Sequence, residues 1–115
     1  MIVLNNIVTI LQTMNDWVFV CNKDQIDFED LIRFDHNDKT FCIYNIKDGF
    51  FATDGICSHE EVHLEDGLVT DDEIECPMHQ GIFNIKTGAV IQDPPCDALK
   101  TYEVKVEDDK IYLKI

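Results

Sequence analysis

The sequence predicts an all-β fold built from antiparallel strands. Three observations carry that expectation. Short runs of β-branched and aromatic residues recur along the 115 residues, the side chains that suit a pleated, half-buried surface. Clusters of Asn, Asp, Lys and Gly interrupt these runs at short intervals. No segment carries the apolar spacing of a persistent helix, and there is no internal repeat or flexible linker.

Taken in order, the first run is WVFVC at 17–21, followed by a turn at 23–26. A second strand is expected at 28–34, where Phe28, Leu31, Ile32 and Phe34 alternate only loosely. A polar turn at 36–39 leads into a third strand at 40–46. There Phe41, Ile43 and Asn45 fall on one face and Cys42, Tyr44 and Ile46 on the other. Lys47, Asp48 and Gly49 close a hairpin onto 50–53. Segments 67–69 and 73–76 can pair across Thr70, Asp71 and Asp72, and 82–85 and 89–91 flank a turn at 86–88. Residues 101–106 read as one alternating strand. After a turn at 107–109, Ile111, Leu113 and Ile115 close the base sheet. Ahead of all this, Ile2, Val3, Leu4, Ile7, Val8, Ile10 and Leu11 form an apolar extension, residues 1–13, suited to an added edge strand, a short helix or a dimer contact.

Composition narrows the function. With 23 acidic against 9 basic residues the net charge is −14. Such a surface repels nucleic acid, and it favours solubility and fast, salt-sensitive encounter with a basic partner. No apolar run is long enough to span a bilayer, and the N-terminal stretch lacks the basic start and cleavage site of a secretory signal. A cytoplasmic protein with no membrane role is therefore expected. Three of the five cysteines, Cys21, Cys42 and Cys96, lie outside any ligand pattern. Cys21 and Cys42 sit in apolar runs and read as buried thiols, in keeping with a reducing compartment.

The chemistry concentrates between Cys57 and Phe83. Cys57 and His59 form a C-x-H pair, and Cys76 and His79 a C-x-x-H pair. Two thiolates and two imidazoles suit a soft to borderline metal. Coincidence is one reading and a tetrahedral structural zinc another. A [2Fe–2S] cluster is the third, because each half offers one Cys and one His, as needed when one iron takes both sulfurs and the other both nitrogens. His36 and His63 stand outside the pattern, His36 in a turn and His63 out of register for ligation.

This stretch resembles the Rieske family. Cys57, His59, Cys76, Pro77, His79, Gly81 and Phe83 fit its two-loop pattern, C-x-H then C-P-x-H-x-G-x-F. Gly88 and the Asp93-Pro94-Pro95 stretch resemble its second-half turn and its proline loop. The resemblance implies a Rieske-type fold, with an antiparallel β base at about 14–53 and 84–115 and an inserted cluster-binding subdomain at about 54–83. It implies one [2Fe–2S] cluster per chain, held by Cys57, His59, Cys76 and His79, with electrons passing by the two histidines. The respiratory branch carries an extra disulfide, for which Val62 and Met78 stand here. It also places Ser and Tyr hydroxyls near the cluster, for which Gly81 and Phe83 stand. Without those hydrogen bonds to sulfur the potential should lie at the low end of the Rieske range, around −150 mV.

The expected function is a low-potential ferredoxin, carrying single electrons from a flavin reductase to a Rieske non-haem iron oxygenase. A chain of this length leaves no room for a catalytic domain, so an electron-transfer component rather than an enzyme is expected. A Rieske-like small subunit of nitrite reductase and a non-redox zinc module are the alternatives.

Overall fold

A computed structural model describes residues 17–57, 61–78, 81–92 and 97–115. The N-terminal extension and the proline loop, including Cys96, lie outside the described residues. The described residues form eleven strands, β1 (Trp17–Asn22), β2 (Asp30–His36), β3 (Lys39–Ile46), β4 (Gly49–Asp54), β5 (Leu68–Thr70), β6 (Glu73–Glu75), β7 (Ile82–Asn84), β8 (Val90–Gln92), β9 (Thr101–Tyr102), β10 (Val104–Glu107) and β11 (Lys110–Lys114), and two 3-10 segments, Lys23–Gln25 and Leu64–Asp66. The described residues contain no α-helix.

The strands form three antiparallel sheets, ordered β1-β11-β10, β2-β3-β4-β9 and β5-β6-β7-β8. The middle sheet is packed on both faces, and β3 explains how. Phe41 and Ile43 join Cys21, Ile26, Ala52, Ile111 and Leu113 in one core. Cys42, Tyr44 and Ile46 join Leu64, Val69, Ile74, Phe83, Ile85, Leu99, Cys57 and Cys76 in the other. The two faces read from β3 are thus both interior, which accounts for its near-continuous apolar run. Burying each large side chain there contributes roughly 1.5–3 kcal/mol.

Turn chemistry fixes the registers. His36 pairs with Lys39 across Asn37 and Asp38, both at positive φ (49° and 63°). Glu107 pairs with Lys110 across Asp108 and Asp109 (53° and 64°). These are the mirror-image turns whose twist matches paired strands, and Asn and Asp tolerate them best after glycine. Gly88, at φ 78°, serves the turn between β7 and β8, and a Cβ there would lie 2.0 Å from the Leu99 carbonyl oxygen. Only glycine fits.

Two local expectations are corrected. The second strand begins at Asp30, not Phe28. Glu29 takes a left-handed φ of 57° and donates its N–H to the Asn45 carbonyl at 2.7 Å, so the strand breaks and Phe28 is left 63% exposed. Residues 101–106 are not one strand. β9 pairs with β4 and β10 with β11, so the chain changes sheets at Glu103, a corner that alternation alone does not mark. The base therefore comprises two sheets rather than one. The third sheet continues past Phe83 into β8, which pairs with β7.

Cys21 and Cys42 are both buried. Burial pushes the Cys42 thiol up to about 12, so the fold favours its neutral form. That stability is fully present below the unfolded thiol value, near 8.5, and is lost as pH rises toward 12, on the order of 5 kcal/mol at full titration. Urea midpoints measured between pH 8 and 11 should fall more steeply for the parent than for Cys42→Ser. Parallel slopes would refute this.

Candidate metal centre

Two backbone-closed loops carry the two expected cysteine ligands at their mouths. In the first, the Leu64 N–H donates to the Gly55 carbonyl at 2.8 Å, Ile56 bridges His63, and the Cys57 N–H donates to the Val62 carbonyl at 2.8 Å. In the second, Glu73, Ile74 and Glu75 pair with Asn84, Phe83 and Ile82, and the Cys76 N–H donates to the Gly81 carbonyl at 2.7 Å. Each cysteine is therefore the first residue of a loop closed by its own N–H onto the carbonyl five positions on. By sequence, His59 falls inside the first closed span and His79 inside the second. Both histidines lie outside the described residues.

Sequence reasoning assigns Cys57 and Cys76 to one centre, and both are buried in one core. Cys57 is 4% exposed and Cys76 1%, in the same core. Two thiols at matched loop mouths, in one apolar core, fit a cluster whose one iron takes two sulfurs. His63 is not among the expected ligands. Its Nδ1 is buried with no hydrogen-bond partner among the described residues, at the root of the first hairpin.

Charge sets this half of the molecule apart. From Asp48 to Ile85 the sequence holds ten carboxylates and no lysine or arginine. Among the described residues, two cations from outside that stretch form ion pairs within it. Lys86 pairs with Asp48 and lies 3.9 Å from Asp72, joining the β3–β4 and β5–β6 turns. Arg33 on β2 bonds Glu65 at 2.9 Å. The Lys86 ammonium holds the Asp48 carboxyl below its usual range. Neither clasp was visible in the sequence, although Arg33 is the chain's single arginine.

Comparison with known proteins decides the family, because residues 16–103 match the Rieske [2Fe-2S] domain. The chain belongs to the Rieske family. Its cofactor is accordingly a Rieske-type [2Fe–2S] cluster. This Rieske chain is 34% identical over 100 residues to the ferredoxin component of the naphthalene 1,2-dioxygenase/salicylate 5-hydroxylase systems of Ralstonia sp, covering 87% of this chain and 96% of that one. It is 35% identical over 88 residues to the biphenyl dioxygenase ferredoxin subunit of Pseudomonas sp. (strain KKS102), covering 76% and 81%. Among solved structures it superposes on a chain in the complex of reduced oxygenase and oxidised ferredoxin of carbazole 1,9a-dioxygenase. The TM-score is 0.82 at 30% identity, with 85% of this chain and 92% of that one covered. No helix among the described residues of the Rieske chain is long and apolar enough to cross a membrane.

Proposed function

We propose that this chain is a low-potential one-electron carrier, delivering electrons from a flavin-dependent reductase to a Rieske non-haem iron oxygenase. Cys57 and Cys76 would hold one iron of the cluster and His59 and His79 the other. The cluster supplies reversible uptake of a single electron. The observation that carries the reading is the pair of matched hairpin tips, each opened by a buried cysteine. The core around them, including Leu64, Ile74 and Phe83, excludes water from the sulfur side.

The relatives named above are ferredoxin components of dioxygenase systems. That supports the carrier role over a nitrite reductase subunit or a zinc module, and supports an electron-transfer component rather than an enzyme. A cytoplasmic location accords with the reduced thiols Cys21 and Cys42. A division into base and cluster-binding subdomain, the latter at about 54–83, is supported by β5, β6 and β7 forming a sheet of their own with β8 added.

Protein made anaerobically with iron and sulfide should be brown, hold about two iron and two sulfide per chain, and give a Rieske-type EPR signal on reduction. A colourless protein holding zinc overturns the proposal. Electron delivery to a basic partner should slow as salt rises, because screening weakens attraction to the carboxylate-rich half. A rate indifferent to salt refutes that steering.

A further inference from the structure

Arg33 is set apart by where it stands. It lies on β2 directly opposite Cys42 of β3, so it shares the sheet face that Cys42 turns toward Cys57 and Cys76. Its guanidinium forks to two carboxylates, Nε to Asp35 at 3.0 Å and Nη1 to Glu65 at 2.9 Å. Asp35 also accepts from the Thr40 hydroxyl at 2.9 Å. The Thr40 carbonyl accepts the Gly55 N–H at 2.8 Å, and the Gly55 carbonyl accepts the Leu64 N–H at 2.8 Å. Leu64 is followed by Glu65, so the hydrogen bonds close a ring. The ring ties the root of the first ligand hairpin to the β2–β3 hairpin of the base. Gly55 is the tight point, where a Cβ would lie 2.6 Å from the Thr40 methyl and 3.0 Å from its backbone.

We infer that Arg33 is a positioning residue for the first ligand loop and, as the cation behind a carboxylate-only stretch, favours reduction of the cluster held there. This rests on the ligand assignment proposed above. A lone exposed ion pair contributes little. Here both carboxylates are oriented, Asp35 by Thr40 and Glu65 by its 3-10 turn, and the planar fork is matched to two acceptors as lysine cannot be. The Asp35 carboxyl is held below its usual range, chiefly by the Arg33 hydrogen bond and then by Thr40. Glu65, Arg33 and Asp35 all act electrostatically on the Cys42 thiol, which lies in the same core as the two ligand cysteines.

Two variants break the same clasp while changing charge in opposite senses. Arg33→Met removes a positive charge and Glu65→Met a negative one, and neither methionine can replace the lost hydrogen bond. Iron release to a chelator should quicken in both, about fivefold. The equilibrium constant for one-electron reduction should fall about threefold in Arg33→Met and rise about threefold in Glu65→Met, which is roughly 30 mV down and up. Arg33→Lys should keep the parental potential while still losing iron faster. Parental release rates in Arg33→Met and Glu65→Met overturn the positioning role, and potentials that move in the same direction, or not at all, overturn the electrostatic one. Hydrogen exchange at the Gly55, Cys57 and Leu64 amides tests the clasp with or without cluster. It should quicken about fivefold in both variants, and unchanged exchange refutes the clasp. A parent protein that takes up no iron and sulfide would instead defeat the ligand assignment, leaving the exchange result to judge the clasp.

Discussion

Replacing Cys76 with alanine should give a colourless protein without bound iron or sulfide, while replacing Cys42 with alanine should leave the cluster in place. The contrast matters because the two thiols look alike by burial. Cys76 is 1% exposed and Cys42 0%, and both lie in one core. What separates them is backbone. Cys76 opens a hairpin loop closed onto Gly81, whereas Cys42 stands mid-strand, paired with Arg33 and Thr53. Cys57→Ala should behave as Cys76→Ala does. On the proposed assignment, losing one of four ligands removes metal-linked folding free energy, on the order of 10 kcal/mol for a structural metal site, far above the roughly 1 kcal/mol typical of a point change. Iron and sulfide analysis with far-ultraviolet circular dichroism would read the outcome. Retained cluster in Cys76→Ala, or lost cluster in Cys42→Ala, would reject the assignment.

The second large effect concerns potential. Introducing Gly81→Ser together with Phe83→Tyr should raise the midpoint potential by on the order of 100 mV. A hydroxyl that bonds sulfur stabilises the reduced, more negative state. At about 1–2 kcal/mol of differential strength per bond, one electron converts this to roughly 40–90 mV each. Phe83 is fully buried in the core that holds both cysteines, so a tyrosine hydroxyl placed there must find an acceptor. If it finds sulfur the potential rises. If it finds none, the orphaned group costs about 1–3 kcal/mol of stability and the potential stays put. Protein-film voltammetry alongside urea unfolding separates the two, and a destabilised variant at parental potential would refute the hydrogen-bond account.

Local pattern made much of this fold legible. β3 and its two faces, the hairpins turning at 37–38, 47–48 and 71–72, and the buried Cys21 and Cys42 follow from alternation and turn chemistry, which act over a few residues. The four-residue pattern of Cys57, His59, Cys76 and His79 stands out because metal binding imposes a spacing, and of the four the two cysteines lie in one core. What escaped was long-range. The change of sheet at Glu103 depends on which neighbours β9 and β10 find, β4 and β11, and their residues alternate as one strand would. The halt at Glu29 reflects a left-handed backbone that glutamate rarely adopts. Arg33 meets Glu65 across 32 positions of chain, and nothing local to either residue announces the other.

β3 is the wall common to both interiors, with Phe41 and Ile43 lining one room and Cys42, Tyr44 and Ile46 the other. A shared wall cannot shift for one room alone. Heat or denaturant should therefore find no separable tip to melt first, and an altered side chain at the end remote from the iron will be felt, through that strand, by the residues that grip it.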